Sequence, residues 1–145
     1  MQKIKQLLIP FTFLLLILGA YTLQADNDFA EKHVVLQISD ASRQNLVLNV
    51  ANNLQNHYGP DKVAIEIVAF GPGLKSIFAK NEVTSPRVSS LAANGVKFSA
   101  CMNTIAAIKR KTGKEPIIHK DAGKVPAGVV RIMDLVDKGY TLIKP

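Results

Sequence analysis

Cys101 is the only cysteine in a chain of 145 residues. It lies in the stretch GVKFSACMNTI, where a run of strand character gives way to one of helical character. A thiol at the carboxyl end of a strand faces the free N–H groups of the following helix, whose partial positive charge favours thiolate over thiol. Such a group is a nucleophile without a second cysteine. The competing role is a small buried hydrophobe, because free cysteine is among the most buried side chains.

Three histidines are candidate bases for that thiol. His33 opens a strand, at the end of a sheet opposite any strand-end crevice, and His57 falls in the last turn of a helix, where a cation is structurally favourable. Both read as structural. His119 lies in a loop expected to lead to the carboxyl side of the sheet, either as a proton shuttle for Cys101 or as a solvated loop residue. No grouping of Cys, His and carboxylates has zinc-ligand spacing, so neither a metal nor another cofactor is expected.

Phosphate chemistry finds little support. The turn SDASRQN has no glycine to let the backbone wrap a phosphate, and Gly71-Pro72-Gly73 is short and reads as a turn. CMNTI also lacks the arginine-bearing anion cradle that a rhodanese loop carries around its cysteine.

The elements that must position Cys101 follow from periodicity. HVVLQIS, residues 33–39, is a strand rich in β-branched residues, followed by Asp40 and Ser42 as helix N-caps. Leu46, Val50 and Leu54, with Val47 widening the face, give a helix from Ser42 to Tyr58 that stops at Gly59-Pro60. KVAIEIVAF, residues 62–70, becomes continuously apolar, as a strand covered on both faces does. Leu74, Ile77 and Phe78 suggest a short helix, Ser85-Pro86 opens another that closes at Asn94-Gly95, and VKFSAC is the third strand.

Asn103 or Thr104 starts a helix that runs into the basic turn Lys109-Arg110-Lys111 and ends at Thr112-Gly113. Residues 114–125 read mainly as loop, with a brief strand near Gly123 to Val125. Pro126-Ala127-Gly128 opens a last helix whose Val129, Ile132, Met133 and Val136 share a face, and YTLIK closes the chain as a strand. Strands alternating with helices in this way predict an α/β domain with a mostly parallel sheet and helices on both faces.

The first 25 residues have the layout of a secretory signal peptide: Lys3 and Lys5, an apolar stretch from Leu7 to Tyr21, then Ala25 before Asp26-Asn27-Asp28. The apolar stretch is short for a span of ~20 residues and is interrupted by Pro10 and Thr12, so cleavage after Ala25 and export to the periplasm are expected, with an uncleaved N-terminal anchor as the alternative. No membrane insertion is expected after cleavage. A single domain of about 120 residues, 26–145, remains, with a net charge reduced from +7 to about +5. That charge is dispersed among acids, and no aromatics interleave with the cations, so nucleic acid is not an expected partner. An odd cysteine in an exported chain means an intermolecular bridge, a reactive thiol or an inert buried one.

HVVLQISD, VAFGPG, LAANGVKFSACMNT and the ending VPAGVVRIMDLVDKGYTLIKP, in this order and spacing, resemble the DsrE/DsrF-like family of sulfur-relay proteins from about His33 to Pro145. The resemblance implies a flavodoxin-like fold, a trimer or hexamer, and a cysteine that carries sulfane sulfur as a persulfide, which by position is Cys101.

Two functions from different classes are open at this point. In one, Cys101 takes sulfur from a donor and passes it to an acceptor protein or small thiol, with Asn103 or Thr104 supplying side-chain hydrogen bonds and His119 optional as a shuttle. In the other, a non-catalytic oligomeric module uses the pocket around Cys101, with Gly71, Gly73 and Gly128, to hold a small anion or thiol.

Overall fold

The computed structural model describes residues 29–145, so the proposed leader falls outside the described residues. Five strands, β1 (Lys32–Ile38), β2 (Val63–Ala69), β3 (Lys97–Cys101), β4 (Ala122–Val125) and β5 (Thr141–Ile143), form one sheet in the order β4-β3-β2-β1-β5. Every pairing is parallel. The connections carry α1 (Gln44–Tyr58), α2 (Ser85–Ala93), α3 (Met102–Thr112) and α4 (Gly128–Asp137), which makes an α/β, flavodoxin-like arrangement. Short 3-10 stretches at Ala41–Arg43 and Gly71–Ile77 follow β1 and β2.

Right-handed crossovers determine where each helix lies. The chain steps outward from β1 to β4 with its helices on one face, then returns across the sheet to β5, which forces α4 onto the other. Packing agrees. Val47, Leu48 and Ala51 of α1, Val88 and Leu91 of α2 and Ile105 of α3 share one core with Leu36, Ile67, Phe98 and Ala100. On the opposite face Ile132 and Leu135 of α4 pack against Val35 and Val68 alone among fully buried residues. The two faces are thus covered unequally.

The brief strand expected near Gly123 to Val125 is present as the edge strand Ala122–Val125, paired in register with Phe98 to Cys101. Two details differ from the sequence reading. In α1 the buried face is Val47, Leu48, Ala51 and Gln55, while Leu46 is exposed. In α4, Val129, Met133 and Val136 point outward and Ile132 and Leu135 inward, so this helix has two apolar faces and the sheet takes one.

Candidate functional site

Cys101 ends β3 and is the residue immediately before α3, with extended backbone at φ −69° and ψ 116°. β3 is followed by a helix on one face of the sheet, and its neighbour β4 by a helix on the other. The carboxyl ends of these two strands are therefore a topological switch point, the place where open parallel sheets form their crevice. Val125 of β4 is the register partner of Cys101, and only Pro126 and Ala127 separate it from α4. As a result the first turns of both α3 and α4 meet at the thiol.

The side chain is buried, with 5 % exposure. Burial is the largest single influence on the thiol and raises its pKa. Hydrogen bonding from the Thr104 hydroxyl and from the backbone N–H groups of Thr104, Gly128 and Asn103 outweighs it, and the pKa lies below its ordinary value. The anion is held by two helix N-termini and one hydroxyl.

Several expected site residues build this arrangement. The Gly71 N–H donates to Thr104 Oγ1 at 3.0 Å, which fixes the hydroxyl from the turn after β2. Gly71 has φ +53°, a left-handed conformation that glycine adopts without strain. Gly73 donates its N–H to Ser39 O at 3.0 Å, and a Cβ there would lie 2.3 Å from Ile38 O, so only glycine lets this turn approach the end of β1. A Cβ on Gly128 would meet the Phe70 ring at 3.0 Å. Asn103 is exposed, and its N–H also donates to Pro126 O at 3.3 Å, tying the start of α3 to the approach to α4.

His119 is not part of this group. Residues 117–119 pair with 77–79 through Ala79 N–H to Ile117 O and His119 N–H to Ile77 O, both 2.9 Å, and the chain then turns into the amino end of β4. Since Val125 rather than Ala122 is level with Cys101, His119 lies roughly 10 Å or more away along the sheet. Its expected approach to the thiol is corrected: the loop delivers it to the amino side. There Nε2 meets Ser89 Oγ at 3.3 Å and Nδ1 accepts the Asp121 N–H at 3.3 Å. His33 stacks edge-on against Tyr140, and His57 does the same against Tyr58, each in a structural setting.

Sequence reasoning missed a second polar cluster. Glu66 lies in the middle of β2, is 2 % exposed, and accepts Arg131 Nε at 2.8 Å, Arg131 Nη2 at 2.7 Å and the Ser99 hydroxyl at 2.6 Å. The signal was one carboxylate inside KVAIEIVAF, because a charge in a fully buried strand requires a partner. Its partner is 65 residues away and could not be inferred from pattern. Among the described residues no group of three His, Cys, Asp or Glu could hold a metal ion, and no helix is long and apolar enough to cross a membrane.

No protein-family model matches the chain, and no curated protein matches it. Among solved structures it is similar to MTH1491 of Methanobacterium thermoautotrophicum, described as a protein of unknown function, with 30 % sequence identity and a TM-score of 0.66 over 79 % of this chain and 99 % of that one. Identity at this level along the whole of the archaeal protein places the chain in the same family as MTH1491.

Proposed function

We propose that the protein is a periplasmic sulfur-trafficking protein that carries or transfers sulfane sulfur as a persulfide on Cys101. The observation behind this reading is the meeting of two helix N-termini on one strand-end thiol at the switch point of the sheet. In the forward step the Cys101 thiolate attacks the outer sulfur of a donor R–S–SH. The donor S–S bond breaks, R–S⁻ leaves and takes a proton from solvent, and Cys101–S–SH forms. Attack on that outer sulfur by an acceptor thiolate regenerates the Cys101 thiolate, with no net oxidation. The N–H groups of Asn103, Thr104 and Gly128 stabilise the anion at both ends of the cycle.

The resemblance to DsrE/DsrF-like proteins supports the same reading, and the leader expected in residues 1–25 supports its location. A homo-oligomer belongs to it too, since Val129, Val130, Met133 and Val136 of α4 and Leu142 of β5 leave an apolar face exposed, which a second copy would cover. The 5 % exposure of Cys101 favours the other reading, a non-catalytic oligomeric module that binds a small anion or thiol at the same place.

Mass spectrometry of protein purified from the periplasm, before and after reductant, separates the two. A gain of one sulfur atom on the Cys101 peptide, lost on reduction, is expected. Unmodified Cys101 that takes up no sulfur from a persulfide donor would leave the binding module.

A further inference from the structure

On the face of the sheet that α4 only partly covers lies a cavity of about 620 Å³. Its lining includes Glu66, Lys97, Ser99 and Gly123 from three adjacent strands, Asp121 before β4, and Arg131 on the α4 side. This volume lies within the range of small-molecule sites. Register brings one wall residue of the cavity, Ser99, within two residues of the thiol. Ser99 and Cys101 are alternate residues of β3 and so project from the same face, about 7 Å apart along the strand.

The lining presents both signs of charge at fixed places. Glu66 occupies the Nε and Nη2 side of the Arg131 guanidinium, and the Nη1/Nη2 edge has no hydrogen-bond partner among the described residues. That edge is a second planar fork, shaped for a carboxylate. Asp121 presents Oδ1 to solvent-exposed Lys120 at 3.4 Å, a surface pair of small net worth that a ligand ammonium can replace. Two acids, Glu66 and Asp121, and two cations, Arg131 and Lys97, line the cavity, so a zwitterion finds a partner for each of its charges. The Glu66 carboxylate that Arg131 grips also accepts the Ser99 hydroxyl at 2.6 Å, two residues before Cys101. A molecule reaching from the far edge of Arg131 to the thiol spans roughly 7 Å plus the width of the guanidinium, the length of a chain of about two to three residues.

We propose that this cavity binds a zwitterionic, peptide-sized thiol, with its carboxylate on the Nη edge of Arg131, its ammonium on Asp121 and its sulfur directed along β3 toward Cys101. The orientation of the sulfur end rests on the reading of Cys101 as the carrier; the cavity and its charges do not.

The test uses S-methylglutathione, which cannot transfer sulfur, titrated into the purified protein and followed by amide chemical shifts. Shifts at Ser99, Gly123 and Arg131 are expected, with equal affinity in Cys101→Ser. Gly123→Leu is the decisive variant. A Cβ at Gly123 meets nothing closer than Phe98 O at 3.8 Å, so the backbone tolerates a side chain there, while the residue shares its row with Ser99 and its side chain enters the cavity. It should weaken binding at least tenfold. Asp121→Asn should weaken S-methylglutathione several-fold but leave its N-acetylated form unaffected.

Absence of shifts in the cavity at millimolar ligand, or unchanged affinity in Gly123→Leu, would overturn the proposal. Equal loss of the free and N-acetylated ligands in Asp121→Asn would overturn the zwitterion assignment. Cys101 that gains sulfur equally in wild type and Gly123→Leu from a peptide persulfide would refute delivery of sulfur from the cavity and leave the carrier reading standing; binding in the cavity with no sulfur ever gained on Cys101 would refute the carrier reading and leave the cavity as a binding site.

Discussion

Gly71 donates its backbone N–H to Thr104 Oγ1 at 3.0 Å, and the same hydroxyl stabilises the Cys101 thiolate. The turn after β2 thereby orients a group that acts at the end of β3. That bond favours the rotamer in which the hydroxyl faces the sulfur.

Thr104→Val, which keeps the side-chain shape, should raise the pKa of Cys101. Alkylation rates followed from pH 5 to 10, with Cys101→Ser as the blank, should show a wild-type midpoint below the ~8.5 of a free thiol and a variant midpoint closer to it. The variant also leaves the Gly71 N–H without its acceptor, at a cost of about 1 to 2 kcal/mol in stability. A thiol that reacts only after denaturant is added would show Cys101 to be an inert core residue.

Stability should depend on pH through the same group. The folded state lowers the Cys101 pKa, so its stabilising contribution is complete above the unfolded thiol value of ~8.5 and is lost as pH falls through the lowered folded value. The difference in unfolding free energy between wild type and Cys101→Ala should therefore grow as pH rises across that window. Urea denaturation at a series of pH values measures it; a difference that shrinks with rising pH would contradict the direction of the shift.

Gly73→Ala should be among the most damaging single substitutions outside the large side chains of the core. Its Cβ would lie 2.3 Å from Ile38 O and 2.8 Å from the Ser39 carbonyl carbon, both backbone atoms that cannot rotate away. A loss of about 3 kcal/mol or more is expected in chemical denaturation. Gly71→Ala, where a Cβ meets only Ser39 O at 3.7 Å but the backbone is at φ +53°, should cost about 1 kcal/mol.

Arg131→Met removes the partner of a buried carboxylate and should cost about 3 kcal/mol. Replacing Glu66 with Leu in the same chain should recover part of that loss, because the uncompensated charge is then gone. Equal stability of the single and double variants would mean that Glu66 is solvated in the Arg131→Met protein.

Met133→Lys on the outer face of α4 should shift the protein toward monomer in light scattering at micromolar concentration, without loss of thermal stability in the monomer. Met133 is 60 % exposed and makes no part of the core, so its substitution tests association separately from folding.

Order and type of most elements were legible in the sequence, because strand and helix periods, the Pro-Ala-Gly and Ser-Pro helix starts and the glycine stops are local signals. They led from residue types alone to a parallel α/β sheet with Cys101 at a strand end before a helix. Tertiary structure decided what surrounds that thiol. α4 reaches Cys101 only because the order β4-β3-β2-β1-β5 sends the connection after β4 to the opposite face from that after β3, and strand order is a long-range property. The same holds for His119, which short antiparallel pairing with residues 77–79 holds at the amino side, and for which face of α4 meets the sheet. Periodicity shows that a helix has apolar faces; which one is buried depends on what the rest of the chain places against it.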